Sequence, residues 1–242
     1  MAKLVIFGAT GGMGSAIVER LVSKGYDFHL VGRDEEQIIA MAEKNQASYT
    51  IGDVLDGDLF DRVAEDIRDP ISGLVYAVGT LNLKSLSRLI EEDFLSDFRI
   101  NAVGAALAVK SLSSQLKSYT DGPSSVVLFS TVAAEQGFKL HTSMSMAKGA
   151  VRGLTLALAA ELAPKVRVNA ISPSLTETPL AAGLLSNEKM AEAIAKLHPM
   201  ERLGKAEDIA ALCEFLLSEE SSWITGQVFG VDGGRSTLRI KS

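Results

Sequence analysis

Gly8, Gly12 and Gly14 follow directly on the apolar run Leu4, Val5, Ile6 and Phe7, and lead into the amphipathic stretch from Ser15 to Lys24. That reads as strand, tight turn, helix. Each glycine removes a Cβ where one would obstruct. Gly8 lets the chain reverse, Gly12 lets the backbone approach a pyrophosphate, and Gly14 lets the helix lie close on the strand. The free N–H groups at the start of the new helix face the same point and favour an anion there. The chemistry this pattern suits is the grip of a dinucleotide's phosphates.

A second chemical signal follows the next predicted strand, Asp27 to Val31. Gly32 holds the place where an acidic side chain would bind both ribose hydroxyls of NAD, and Arg33 comes next. A guanidinium there makes a paired contact with a 2′-phosphate, which a carboxylate would repel. NADP(H) is therefore expected in preference to NAD(H); the plainer reading is a solvated arginine in a helix-capping turn with Asp34. After the third strand, Asp53 and Val54 are placed to hold an adenine edge, and Asp53 serves equally well as a turn residue.

The elements that must position these groups alternate from end to end. Strands are predicted at 3–7, 27–31, 47–51, 73–78, 125–129, 167–171 and 227–231, and helices at 15–24, 34–44, 58–67, 91–119, 147–162 and 205–217. Such alternation implies right-handed crossovers and an α/β fold of Rossmann type. It is a doubly wound parallel sheet of about seven strands with helices on both faces, formed by a single domain over 1–242. Ligands of that architecture sit beyond the carboxyl ends of the strands.

Composition narrows the function classes. The 242 residues are 47% hydrophobic and carry a net charge of −6 without any basic run, which argues against nucleic acid or an anionic membrane as partner. The chain enters a strand by Leu4, leaving no room for a signal peptide, and its apolar runs are too short to span a bilayer. Cys213 stands alone within the apolar helix ALCEFLL, so no disulfide framework or thiolate metal site is expected. These features fit a cytoplasmic protein without a bound metal that acts on a small molecule.

With these residues in view, the sequence resembles the short-chain dehydrogenase/reductase family over essentially its whole length. The family's first loop, Thr-Gly-x-x-x-Gly-x-Gly, is Phe7-Gly8-Ala9-Thr10-Gly11-Gly12-Met13-Gly14 here, with Phe7 in place of the threonine. The resemblance carries cofactor contacts onto Gly8, Thr10, Gly11, Gly12, Met13 and Gly14. The family's Asp-Val against adenine corresponds to Asp53-Val54, and its Asn-Asn-Ala-Gly has become Tyr76-Ala77-Val78-Gly79, which implies contacts from Ala77 and Gly79. Asn101, within FRINAVGA, meets the motif asparagine and would help place a water and the active lysine. RVNAISPSLTETPL looks like the segment that closes over the nicotinamide, implying contacts from Pro173, Thr176 and Thr178.

The catalytic positions depart from the family's pattern. Lys148 is kept, but the residue four before it, where the family's tyrosine stands, is Met144, and thirteen further back Thr131 replaces serine. That tyrosine protonates the carbonyl oxygen as hydride arrives, and a thioether has no proton to give. The enoyl-thioester reductases of the same family place their tyrosine seven residues before the lysine, where this chain has His141. Positions 141, 144 and 148 share one face of a helix that reaches back that far, and histidine can donate a proton near neutrality. Plainer readings stand beside these: a snorkelling Lys148, a solvated His141, a strand-end Thr131 bonded to its own backbone, a mid-helix Asn101 and a Met144 that only lines a cleft.

The resemblance implies an NADP(H)-dependent reductase that moves hydride to a ketone, a 3-oxoacyl-like carbonyl or an activated alkene of a small apolar substrate. Lys148 and Thr131 would act there with His141 or a water held by Asn101. The alternative is a catalytically impaired NADP(H)-binding protein acting as sensor or partner subunit. The segment around 175–200, rich in Leu, Ala and Met, reads as a mobile lid or as a packed surface helix pair. The two longest predicted helices, near 91–119 and 147–163, carry many small residues and are those the family uses to assemble, so a homodimer or homotetramer is expected.

Overall fold

A parallel sheet covered on both faces needs apolar side chains at successive strand positions, pointing alternately into one core and the other. In the computed structural model, which describes residues 2–239, β1 (Lys3–Phe7) does this: Val5 and Phe7 enter one core and Leu4 and Ile6 the other, all fully buried. The chain continues through α1 (Gly12–Val22), β2 (Asp27–Gly32), α2 (Glu35–Asn45), β3 (Ser48–Ile51), α3 (Leu59–Asp66) and β4 (Gly73–Tyr76). Then come α4 (Glu91–Phe98), α5 (Gly104–Ser111), α6 (Ser113–Lys117), β5 (Ser124–Phe129), α7 (Thr142–Leu162) and β6 (Val166–Pro173). The rest comprises β7 (Thr176–Glu177), α8 (Ala182–Leu185), α9 (Glu188–Ala195), β8 (Gly204–Lys205), α10 (Ala206–Leu217) and β9 (Val228–Val231).

Seven strands form one parallel sheet in the order β3-β2-β1-β4-β5-β6-β9, and β7 pairs with β8 in a separate two-stranded ribbon. The order reverses between β1 and β4, where Phe7 sits level with Val31 on one side and Tyr76 on the other. A crevice opens beyond the carboxyl ends of the strands at such a reversal. One core joins the sheet to α3, α5 and α7 through residues such as Val63, Val109 and Val151. The opposite core joins it to α1, α2 and α10 through Ile17, Ile38 and Ile209. Each such side chain contributes about 1.5–3 kcal/mol on burial. Among the described residues, no helix is long and apolar enough to cross a membrane.

The seven sheet strands fall where the sequence predicts them, with ends shifted by a residue or two. The segment 91–119 is a correction: α4, α5 and α6 replace one long helix. Between α4 and α5, Arg99–Val103 form a π-helical turn, in which the Gly104 N–H reaches back to the Arg99 carbonyl. That widening leaves the Ile100 carbonyl to the buried Tyr76 hydroxyl, which donates to it at 2.7 Å. A Cβ at Gly104 would lie 2.1 Å from the Tyr76 hydroxyl, so only glycine admits this bond. The second of the two long helices is also corrected, since α7 begins at Thr142 rather than Ala147.

Between β2 and β3 the buried His29 bridges two hydroxyls, with Nδ1 2.9 Å from Ser48 Oγ and Nε2 2.9 Å from Thr50 Oγ1. Thr50 donates its own proton to Asp66, so it accepts from Nε2–H, and Nδ1 accepts from Ser48. This chain fixes one tautomer of a neutral ring. Burial pushes the His29 pKa down to about 4, against the weaker opposing pull of Asp66.

Two outcomes are expected. Because His29 binds its proton more weakly folded than unfolded, its contribution is complete above pH 6.5 and lost as pH falls toward 4, by roughly 3 kcal/mol. The stability difference between the native protein and His29→Gln, followed by urea unfolding, should therefore change across that window and stay level above it. Gly104→Ala should destabilise by about 1–3 kcal/mol through overpacking, and clearly less in a Tyr76→Phe background, where the obstructing hydroxyl is gone. Additive costs in that double-mutant cycle would contradict the assigned contact.

Candidate active site

The glycine turn is built by backbone approach. Gly8 adopts φ +75°, and a Cβ there would lie 3.0 Å from the Ala77 backbone, so the ends of β1 and β4 converge. A Cβ at Gly14 would lie 2.1 Å from the Gly8 carbonyl oxygen, which lets α1 start directly on the turn. Gly12, which lines the cavity, also has a close protein neighbour. Its Cβ would meet Thr178 Cβ and Pro179 Cδ, both at 2.8 Å, so this glycine admits the strap after β6. α1 starts without a side-chain cap or an acidic residue in its first turn, which leaves its leading N–H groups available to an anion.

At the end of β2, Asp34 caps α2 by accepting from the Gln37 N–H at 3.0 Å, so its carboxylate is committed to the helix. Arg33 is 80% exposed, and its Nη1 lies 3.4 Å from Asp53 Oδ2. Asp53 is also a turn residue, its Oδ1 accepting from the Leu55 N–H. Both plainer readings thus hold in part: Asp53 shapes its own turn while steadying the guanidinium.

A single cavity of about 970 Å³ runs from the glycine turn and Arg33 across the strand ends to the helices after β7. It is lined by Gly8, Thr10, Gly11, Gly12 and Met13 at one end, and by Asp53, Val54, Ala77 and Gly79 along its floor. Pro173, Thr176 and Thr178 line the strap side, and Thr131, His141, Met144 and Lys148 the far wall. Gly14 and Asn101 lie behind that surface. Leu180, Leu184, Ile194 and Leu197, from 175–200, cover the far end with apolar groups.

Lys148 enters this wall because α7 packs against the end of β5. Its side chain is buried, and Nζ donates to the carbonyl of Phe129, the last residue of β5, at 2.8 Å. Ser130 donates to the Lys148 carbonyl in return, at 3.1 Å. Burial lowers the Lys148 pKa to about 8, while the charge of Asp97 pulls it upward. The Thr131 hydroxyl accepts from the Ala133 N–H at 3.3 Å and makes a long bond to the Pro173 carbonyl at 3.4 Å. Met144 is buried and offers no proton.

His141 is the N-cap of α7, one residue outside the helix on which its expected face depends. It still reaches the cavity, but Nδ1 lies 2.7 Å from the Lys139 carbonyl, which can only accept. The neutral ring therefore turns the lone pair of Nε2 outward and has no proton to offer on that side; the imidazolium has one. Phe138 meets the ring edge-on at 5.5 Å.

Asn101 sits in the π-helical turn. Its Nδ2 donates to Thr80 Oγ1 and to the Asp97 carbonyl, both at 2.8 Å, and its Oδ1 accepts from the Thr80 N–H at 3.4 Å. A Cβ at Gly79 would lie 3.2 Å from Asn101 Oδ1 and 3.2 Å from Lys148 Nζ, so this glycine keeps open the space between them. Sequence reasoning passed over Asp97 and Thr80. The spacing of Asp97 and Asn101, four apart and so on one helix face, was the available signal.

Comparison with known proteins agrees with this geometry. The enoyl-(acyl carrier protein) reductase family model matches residues 8–236. A tropinone reductase homolog from Arabidopsis thaliana is 34% identical over 240 residues, covering 95% of this chain and 91% of its own. A short-chain type dehydrogenase/reductase from Mycobacterium ulcerans superimposes with a TM-score of 0.91 at 26% identity, covering 98% of this chain and 90% of that one. A variant of ElxO with NADPH bound superimposes with a TM-score of 0.89 at 26% identity, covering 98% and 99%. With a doubly wound sheet, a glycine turn at its reversal point and matches along almost its full length, the chain belongs to the short-chain dehydrogenase/reductase family of oxidoreductases.

Proposed function

We propose that this chain is an NADP(H)-dependent reductase acting on the carbonyl or activated alkene of a small, apolar substrate. The observation that carries this reading is the continuous cavity with a guanidinium and a glycine cradle at one end and a buried lysine at the other. Backbone contacts at Gly8 and Gly14 leave no room for side chains in the cradle, and the leading N–H groups of α1 suit a pyrophosphate. Arg33, steadied by Asp53, suits the additional 2′-phosphate, and Val54 suits the adenine edge. Pro173, Thr176 and Thr178 would border the nicotinamide, and Lys148 its ribose.

A nicotinamide dinucleotide, when bound, supplies the hydride. The chain's own residues bind, orient and exclude water: the apolar cover of Leu180, Leu184 and Leu197 favours an apolar substrate, and the Thr131 hydroxyl can meet its oxygen. Met144 stands where a tyrosine is expected, so the proton must come from another group. The ElxO variant with NADPH bound supports the choice of cofactor by likeness.

Titration by NADPH fluorescence tests the reading. NADPH should bind more tightly than NADH, and Arg33→Ala should remove about tenfold or more of that preference, the worth of a charge-assisted contact. Oxidation of NADPH should follow on members of a panel of ketones and enoyl thioesters. Lack of affinity for either dinucleotide would overturn the proposal, and tight binding without turnover on the whole panel would favour a sensor or partner subunit instead.

In the same reading, copies of the chain assemble through α5 and α7. Gly149 and Gly153 have open space where a Cβ would stand, and Leu107, Met146 and Leu156 are exposed on these helices. Sedimentation at micromolar concentration should give a dimer or tetramer; a monomer would contradict this.

A further inference from the structure

Asp97 is the buried acid that the reading above leaves without work. It lies on α4, is 2% exposed, and borders the same cavity that Lys148 lines. Its Oδ1 accepts from the Thr80 hydroxyl at 2.7 Å, while Oδ2 is buried without any partner. Thr80 in turn accepts from Asn101, whose Oδ1 flanks the same open space at Gly79 as Lys148 Nζ. Carboxylate, hydroxyl, amide and amine thus form one polar file behind the cavity wall, in a place where an unneutralised charge is costly.

We propose that Asp97 is a positioning residue that keeps the buried Lys148 amine charged, so that Lys148 itself gives the proton that Met144 cannot. This rests on the reductase reading. As hydride reaches the substrate carbonyl carbon and its C–O π bond opens, an N–H bond of the ammonium breaks and an O–H bond forms on the substrate oxygen. Lys148 is left as a neutral amine, which is reprotonated by a proton taken up from bulk solvent, so that the turnover consumes one proton from solution. The substrate is reduced, the dinucleotide is oxidised, and Asp97 ends as it began.

The other ionisable groups around this wall are otherwise engaged. Arg33 pairs with Asp53, Lys84 with Asp93, and Arg152 with Glu135. Asp34 caps α2, His141 bonds the Lys139 carbonyl, and Arg235 bonds the Leu197 carbonyl over the Phe138 ring. Burial alone would drive Lys148 toward its neutral form, and the charge that acts against this comes from Asp97.

The test is competitive acylation of cofactor-free protein with acetic anhydride between pH 6 and 10, reading Lys148 by mass spectrometry with the surface lysines as internal standards. In the native protein, Lys148 should be protected as the ammonium below pH 7.5 and label as the free amine above it, with its midpoint near 8. In Asp97→Asn, which preserves shape, the midpoint should fall by about one pH unit, so that labelling at pH 7 rises about fivefold. The alkaline limb of kcat should move with it while KM holds. An unchanged midpoint in folded Asp97→Asn overturns the inference, as does a native midpoint below pH 7, which needs no variant at all. Labelling is read without dinucleotide, so a missing shift condemns the role of Asp97 and leaves the NADPH titration intact. A shift in a protein that binds no dinucleotide overturns the donor role of Lys148.

Discussion

A buried ammonium must have its N–H groups met by acceptors and its charge met by another charge, or the fold will not tolerate it. Lys148 answers that constraint by donating to the last carbonyl of β5 while Ser130 returns a bond to its own carbonyl. Helix and strand are therefore stitched together at the point where the sheet ends. That pair of bonds fixes the register of α7, which Val151, Ala159 and Leu162 pack against the sheet, and with it the place of Met144 and the His141 cap. The neighbouring carboxylate completes the arrangement by making the charge tolerable inside the wall.

The π-helical turn between α4 and α5 belongs to the same logic. A regular helix would bind the Ile100 carbonyl internally. The extra residue per turn hands it to Tyr76 at the end of β4 and presents Asn101 toward Gly79. π-bulges of this kind recur at functional sites, because they cost helix hydrogen bonding and persist where the surroundings supply a substitute. Here the substitute is a phenol, in a strand end where the family pattern has asparagine.

Much of this was legible beforehand. Alternating apolar runs in β1 and β5 announce a sheet with two cores, and Gly8 and Gly14 announce a turn that tolerates no side chain. The residues just past the strands are those that line the cavity. What sequence pattern could not carry were the partners chosen across the fold. Gly12 turned out to make room for Thr178 and Pro179, the helix at 91–119 yielded to a tertiary hydrogen bond, and the proton of His141 was committed by a carbonyl two residues away. Asp97 carries no signal of its own in the sequence, because its meaning lies in Thr80 and Lys148, which are remote in the chain.

The contact of Thr178 and Pro179 with Gly12 means that the two ends of the cavity share a wall. A molecule that rearranged this wall from the substrate side would change how well the phosphate side holds its own guest. Thermodynamic linkage makes the influence equal in both directions. Two guests that favoured different placements of Thr178 and Pro179 would each enter the other's binding constant, with no messenger beyond two side chains resting on a bare backbone.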